Sequence, residues 1–183
     1  MKHLILSLIL GFLATSCGRS EDPPANPVAQ LPPATQTGAN TIGCLVNGEV
    51  FLPHQNNPTG PSATHCHYQF VNNEWNFSLG YFNDKQNPLR SIGIFGNGIK
   101  LHSNIIYPLG KNNGIGNASL YGYYGKNGTP SFYTDNISTG ELKITKLDSI
   151  NYIISGTFWF DAINSNGQKV QIRDGRFDMQ YTP

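Results

Sequence analysis

The 183-residue chain carries 12 Lys and Arg against 11 Asp and Glu, for a formal net charge of +1; that leaves no basic excess with which to hold a nucleic-acid backbone. Charged residues make up only 13% of the chain, against 20 Gly, 12 Pro, 9 Tyr and 10 Phe, a composition that excludes a charged helical rod and suits an all-β domain with many turns. No segment longer than a few residues keeps a helical period, and no internal repeat is visible.

In chain order, Lys2 and His3 precede an apolar run from Leu4 to Leu13, which falls well short of the ~20 residues a membrane-spanning helix needs. Ala14-Thr15-Ser16-Cys17 follows and resembles the lipobox of bacterial lipoproteins. That resemblance implies cleavage after residue 16, a diacylglycerol on the Cys17 thiol and an acylated, palmitate-type amine. Ala14 stands where the family most often has leucine, and Leu13 lies one place earlier. Ordinary signal cleavage after Ala14-Thr15-Ser16 would instead release a soluble protein. Removing the signal removes Lys2 and leaves eleven basic against eleven acidic residues.

Residues 17–40 read as a tether: Pro23, Pro24, Pro27, Pro32 and Pro33 stand among Ala, Gln, Thr and Asn without apolar periodicity. Ser20-Glu21-Asp22 looks like the acidic signals that export Bacteroidota-type lipoproteins to the cell surface. An outer-membrane anchor facing the surface is therefore expected, with the periplasmic side as the alternative. Of three cysteines, lipidation of Cys17 leaves Cys44 and Cys66, which an oxidising compartment would pair as a disulfide. Two buried free thiols are the alternative.

The folded part is expected over 41–183. Thr41–Val46 and Glu49–Leu52 flank Asn47-Gly48, the strongest short hairpin signal. His67–Val71 and Glu74–Phe82 flank Asn72-Asn73, with Trp75, Phe77, Leu79 and Tyr81 on one face. Leu89–Phe95 and Ile99–His102 flank Asn97-Gly98 as a third such hairpin. Ile105–Leu109, Ala118–Tyr124 and Phe132-Tyr133 are weaker strand candidates.

From Glu141 to Tyr181 a three-strand antiparallel meander is predicted. Its middle strand places Tyr152, Ile154, Phe158, Phe160 and Ala162 on the core face and Trp159 on the other. Asn164-Ser165-Asn166-Gly167 is a turn, and the apolar phase flips across Asp174-Gly175 as at a β-bulge. The sum is a single all-β domain of about ten antiparallel strands, a β-sandwich or a partly open β-barrel.

Thr37-Gly38-Ala39-Asn40-Thr41-Ile42-Gly43-Cys44-Leu45-Val46-Asn47-Gly48, Ile154-Ser155-Gly156-Thr157-Phe158-Trp159-Phe160 and Asp174-Gly175-Arg176-Phe177-Asp178 together resemble small Bacteroidota lipoproteins of unknown function. The likeness covers the two ends of the domain. It implies an envelope lipoprotein with a β-rich domain and supplies no catalytic residue.

His65 and His67 lie two apart, a spacing metal sites use, with His54 and His102 as possible additions. No carboxylate lies near them in sequence, so surface histidines are expected, without metal or other cofactor. No Gly-x-Ser-x-Gly elbow is present. Scattered carboxylates such as Glu49, Glu74, Asp148, Asp161 and Asp178 leave a small envelope hydrolase as the alternative to a non-catalytic module. Trp159 and the cluster Tyr121, Tyr123 and Tyr124 are candidates for a surface that stacks on a glycan or envelope protein. Asp148-Ser149-Ile150 resembles a short O-glycosylation acceptor, marking Ser149 as a decorated turn. A monomer is expected, with the membrane reached through acylated Cys17.

Overall fold

A computed structural model describes residues 26–85, 87–112 and 119–183. Cys17, the signal segment and the acidic pair Glu21-Asp22 lie outside them. The described residues form one short 3-10 turn (Pro27–Gln30) and eleven strands: β1 (Thr41–Val46), β2 (Glu49–Phe51), β3 (Thr64–Val71), β4 (Glu74–Asn83), β5 (Arg90–Asn97), β6 (Ile105–Leu109), β7 (Ser119–Lys126), β8 (Phe132–Tyr133), β9 (Gly140–Asp148), β10 (Ile153–Ile163) and β11 (Lys169–Gln180).

All strand pairs are antiparallel, in one sheet ordered β2-β1-β11-β10-β8-β7-β5-β4-β3. The sheet branches at β10, whose edge pairs with β9 over residues 153–160 and with β8 at Ile163. Strand β6 extends that branch through β9. The sheet curls into a half-barrel, which makes the partly open barrel the architecture adopted. Single bridges from His54 to Asn83 and from His67 to Thr182 draw its two ends together.

Local sequence explains most of these strands. Asn47 and Gly48 take φ of 51° and 86°, and Asn72 and Asn73 take 53° and 64°. Positive φ at both central residues suits the two-residue hairpin turn, and Asn tolerates that region better than most side chains. Asn97-Gly98 makes no hairpin, contrary to expectation. Strand β5 already pairs with β4 along one edge and β7 along the other. Residues 99–102 therefore run as a loop that drops Leu101 into the core.

The core lines the inner face of the curl. On β10, Ile154, Phe158, Phe160 and Ala162 are buried as their parity requires, while Tyr152 is 46% exposed. Tyr152 has φ 54° in the turn before the strand, so it falls outside the alternation. Its meander partners contribute Leu142 and Ile144 from β9 and Val170, Ile172, Phe177 and Met179 from β11. Each large apolar side chain removed from water adds about 1.5–3 kcal/mol before entropy is set against it.

The phase flip in β11 is a bulge. Phe158 pairs with Gly175 and Phe160 with Ile172, so Arg173 and Asp174 together oppose Trp159. The same extra residue shifts the β1 register between Gly43 and Leu45. Asp174 absorbs it with φ 52°.

Residues 26–40, tether-like in composition, run against the half-barrel. Leu31 is buried, and the carboxylate of fully buried Asp178 gathers the segment that follows. Asp178 accepts hydrogen bonds from Thr35 Oγ1, Thr37 N and Oγ1, Gly38 N, Ala39 N and Ser155 Oγ, at 2.6–3.2 Å. Burial pushes its pKa up, but donors from Thr35, Thr37, Gly38 and Ser155 more than offset this and hold it well below the usual carboxylate range.

Candidate binding faces

Trp159 stands on the outer side of β10 and is 38% exposed. The bulge sets Arg173 over its ring, with Cζ 5.4 Å from the centroid. Arg173 pairs with Asp161 and donates to the carbonyls of Ile172 and Phe160. Trp159 Nε1 donates to Glu141 Oε2 at 3.2 Å. The ring edges an open cleft of about 450 Å³ with Glu141, Lys143, Asp174 and Arg176 among its lining. Both charge signs are therefore present, and two carboxylates share the cleft.

Tyr121 and Tyr123 stand on another part of the outer surface. Tyr124 does not join them: adjacent strand residues face opposite ways, and Tyr124 is buried against Phe132 with ring centroids 5.6 Å apart. In its place the fold brings Phe95 from β5 and Tyr133 from β8. The Phe95–Tyr121 rings are 5.5 Å apart with planes 29° from parallel, and Phe95–Tyr123 is 6.3 Å. Tyr133 closes the group at 6.4 Å from Tyr121 and 5.3 Å from Tyr123. Tyr133 is 44% exposed.

Glycines on the same face give these rings room. A Cβ on Gly93 would stand 2.7 Å from the Phe95 ring, one on Gly80 2.6 Å from the His65 ring, and one on Gly125 would strike the Tyr123 phenol. Phe95, His65 and the Tyr123 phenol thus occupy space over bare backbone that a side chain at Gly93, Gly80 or Gly125 would fill. Beside them His67, Gln69, Asn76 and Asn97 edge a shallow depression of about 280 Å³ that Phe95 and Tyr121 also line.

His65 and His67 share this face, ring centroids 5.9 Å apart, and His65 Nε2 is 3.0 Å from Ser78 Oγ. Partial burial, and then the neighbouring His67, lower the His65 pKa. His54 sits apart, paired with Asp84 at 3.1 Å, and His102 is exposed. Among the described residues no three His, Cys, Asp or Glu side chains converge in a metal-holding set.

The Cys44–Cys66 disulfide is absent: both residues are free, buried thiols. Cys44 on β1 places Sγ 3.1 Å from Tyr81 Oη, and that hydroxyl donates to the Phe51 carbonyl at 3.0 Å. The thiol is thereby the donor to Tyr81 and stays protonated. Cys66 on β3 sits opposite Leu79. Burial pushes both thiols up to about 12. Ser149 is exposed in the turn between β9 and β10. Asp148 builds that turn by accepting from Ile150 N, Asn151 N and Asn151 Nδ2.

Residues 98–179 match a domain of unknown function, DUF6252. The matched stretch holds β6 to β11, and with them Trp159, Tyr121, Tyr123 and Tyr133, but neither Phe95 nor the two histidines. No curated protein and no solved structure matches the chain.

Sequence reasoning missed Phe95 and Tyr133. A usable signal was present: within β3, β4, β5, β7 and β8 the only Asp, Glu, Lys or Arg are Glu74, Arg90 and Lys126, each at a strand end. Strands lacking charge on their outward side as well as their inward side mark a face whose polarity serves something besides solubility.

Proposed function

We propose that this chain is an exported, lipid-anchored module of the cell envelope that binds a glycan or a protein without transforming it. The Ala14-Thr15-Ser16-Cys17 segment supports the anchor, and the acidic Glu21-Asp22 pair favours the outer-membrane surface over the periplasmic face. The carrying observation for binding is the layer of outward rings, Phe95, Tyr121, Tyr123 and Tyr133, on an uncharged sheet face. Tyr133 is exposed and Phe95, Tyr121 and Tyr123 are partly so; aromatic surface left in contact with water is a means of recognition, because its burial by a ligand is favourable and the rings lose little conformational entropy.

A second reading rests on Glu141 and Asp174, which line the Trp159 cleft together. Two carboxylates in one cleft are the minimum for glycoside hydrolysis. Glu141 is already engaged by the indole N–H, which sets it up better to hold Trp159 than to act as an acid.

Two measurements test the proposal. Cys17→Ala in the full chain should abolish membrane partitioning and incorporation of labelled palmitate, since the acyl chains are the expected anchor. Persisting membrane association of the variant, with no label in the wild type, would reject the anchor. Isolated envelope polysaccharide and envelope protein fractions should be retained by liposomes bearing the wild-type protein. Retention should fall in Tyr121→Ala or Trp159→Ala; indifference to both would reject binding through the aromatic faces. Release of reducing sugar, lost in Glu141→Gln and Asp174→Asn, would favour the hydrolase.

A further inference from the structure

Taking the binding reading as its base, we infer that the Phe95–Tyr121–Tyr123–Tyr133 face is a subsite for an extended, uncharged polysaccharide. The ligand class follows from four features of the face. First, its strands carry no charged side chain away from their ends. An anionic glycan, a nucleic acid or an acidic peptide would be desolvated there with no counter-charge, a cost that a neutral ligand avoids.

Second, the rings form one contiguous apolar surface, with centroids 5.3–6.4 Å apart. Phe95 leans over Gly93 and lies 29° from parallel with Tyr121, while Tyr123, over Gly125, stands at 70° to Phe95, so ring faces and ring edges are both offered. The C–H-rich face of a pyranose ring packs on such a surface, whereas an apolar protein side chain seeks a pocket with walls. Third, amide and imidazole groups from His67, Gln69, Asn76 and Asn97 border the rings. Each amide offers a donor and an acceptor side by side, which is what vicinal hydroxyls require.

Fourth, the face has length. His67, Ser78, Phe95 and Tyr121 are cross-strand neighbours in one row, spaced by about 4.8 Å per strand. That step is close to the repeat of one hexopyranose in an extended chain, so the row accommodates consecutive sugars running across the strands. Strands β4 and β5 are hydrogen-bonded along both edges, β7 meets β8 at Tyr123 and Tyr124, and β3 meets Thr182 at His67. Strand addition by a peptide is thereby confined to the short stretches of β3 and β7 beside these contacts.

The test uses the full chain in a detergent without a sugar headgroup, because a glycoside detergent would compete for the rings. Native gels are cast with neutral polysaccharides (xylan, glucomannan or dextran) or anionic ones (alginate or polygalacturonate). At least one neutral polysaccharide should retard the wild type. Tyr121→Ala and Tyr123→Ala should each weaken that retardation by about tenfold or more, and Tyr121→Phe should retain it. Asn97→Asp supplies a variant that removes no packing: a charge at the rim should weaken neutral ligands by a similar factor.

Retardation by anionic polysaccharides alone, or loss of neutral binding in Trp159→Ala with the tyrosine variants intact, would overturn this subsite. Either result would leave the broader binding reading standing. Absence of any retardation, with a defined envelope protein bound in a Tyr121-dependent manner, would assign the same face to a protein and likewise overturn the inference.

Discussion

The two halves of the half-barrel use their outward positions in opposite ways. Strands β9, β10 and β11 carry Glu141, Lys143, Lys146, Asp148, Asp161, Lys169, Arg173, Asp174, Arg176 and Asp178, and several of these are committed to structure. Asp178 holds residues 35–39, Asp148 builds a turn, and Arg173 with Asp161 and Glu141 fixes the Trp159 indole. The other half, β3 to β5 with β7 and β8, keeps only strand-end charges and lays rings over glycine. The difference teaches that exposure alone is a poor guide to a binding surface. Trp159 is exposed yet tied down by its neighbours, whereas Tyr133 and the rings beside it form a continuous, uncommitted layer.

The comparison breaks most visibly at Asp178. Asp178→Ala removes the acceptor for six hydrogen bonds and releases the partly buried donors of residues 35–39, so it should cost about 3–5 kcal/mol, read as a lower urea midpoint. The wild-type contribution has a defined pH range. Because the folded-state pKa lies below that of the unfolded chain, this stability is fully present above about pH 5 and is lost as pH falls through and below ~4, toward the folded pKa. A urea midpoint that declines between pH 8 and 6 would need another group.

The thiols come next. Cys44 and Cys66 should resist iodoacetamide in the native protein and react together once it is denatured without reductant, as mass spectrometry would show. Joined peptides would restore the disulfide. The smallest effect on stability is expected at the candidate surfaces. Trp159→Ala should cost about 1–2 kcal/mol, the cation–π contact plus partial burial, below the 3–5 kcal/mol of a fully buried Trp. A larger loss would place Trp159 among the structural residues of the charged half.

Much of the fold was legible in the sequence because local rules governed it. The Asn-Gly and Asn-Asn turns, the β9–β11 meander and the bulge at Asp174 all follow from turn chemistry and strand parity. What failed was non-local. Asn97-Gly98 has the dipeptide of a hairpin, but β7, distant in sequence, had already taken the edge of β5. The two-cysteine count favoured a disulfide, yet Cys44 on β1 and Cys66 on β3 stand on strands that are not neighbours in the sheet. The proline-rich stretch before Asn40 lacks apolar periodicity, but a single buried carboxylate at Asp178 holds it through backbone N–H groups that no composition reveals. The proposed binding face was half legible: Tyr121, Tyr123 and Tyr124 stood out as a cluster, of which Tyr124 turns into the core, while Phe95 and Tyr133 reach the other two only through sheet pairing.

The central claim, that ligand sits on the neutral half, is tested most directly by covalent footprinting of the intact protein with and without the polysaccharide that retards it. Protection should fall on Tyr121, Tyr123 and Tyr133, with Trp159 labelled equally in both states. Protection of Trp159 with the three tyrosines unchanged would contradict it and move the site to the charged cleft.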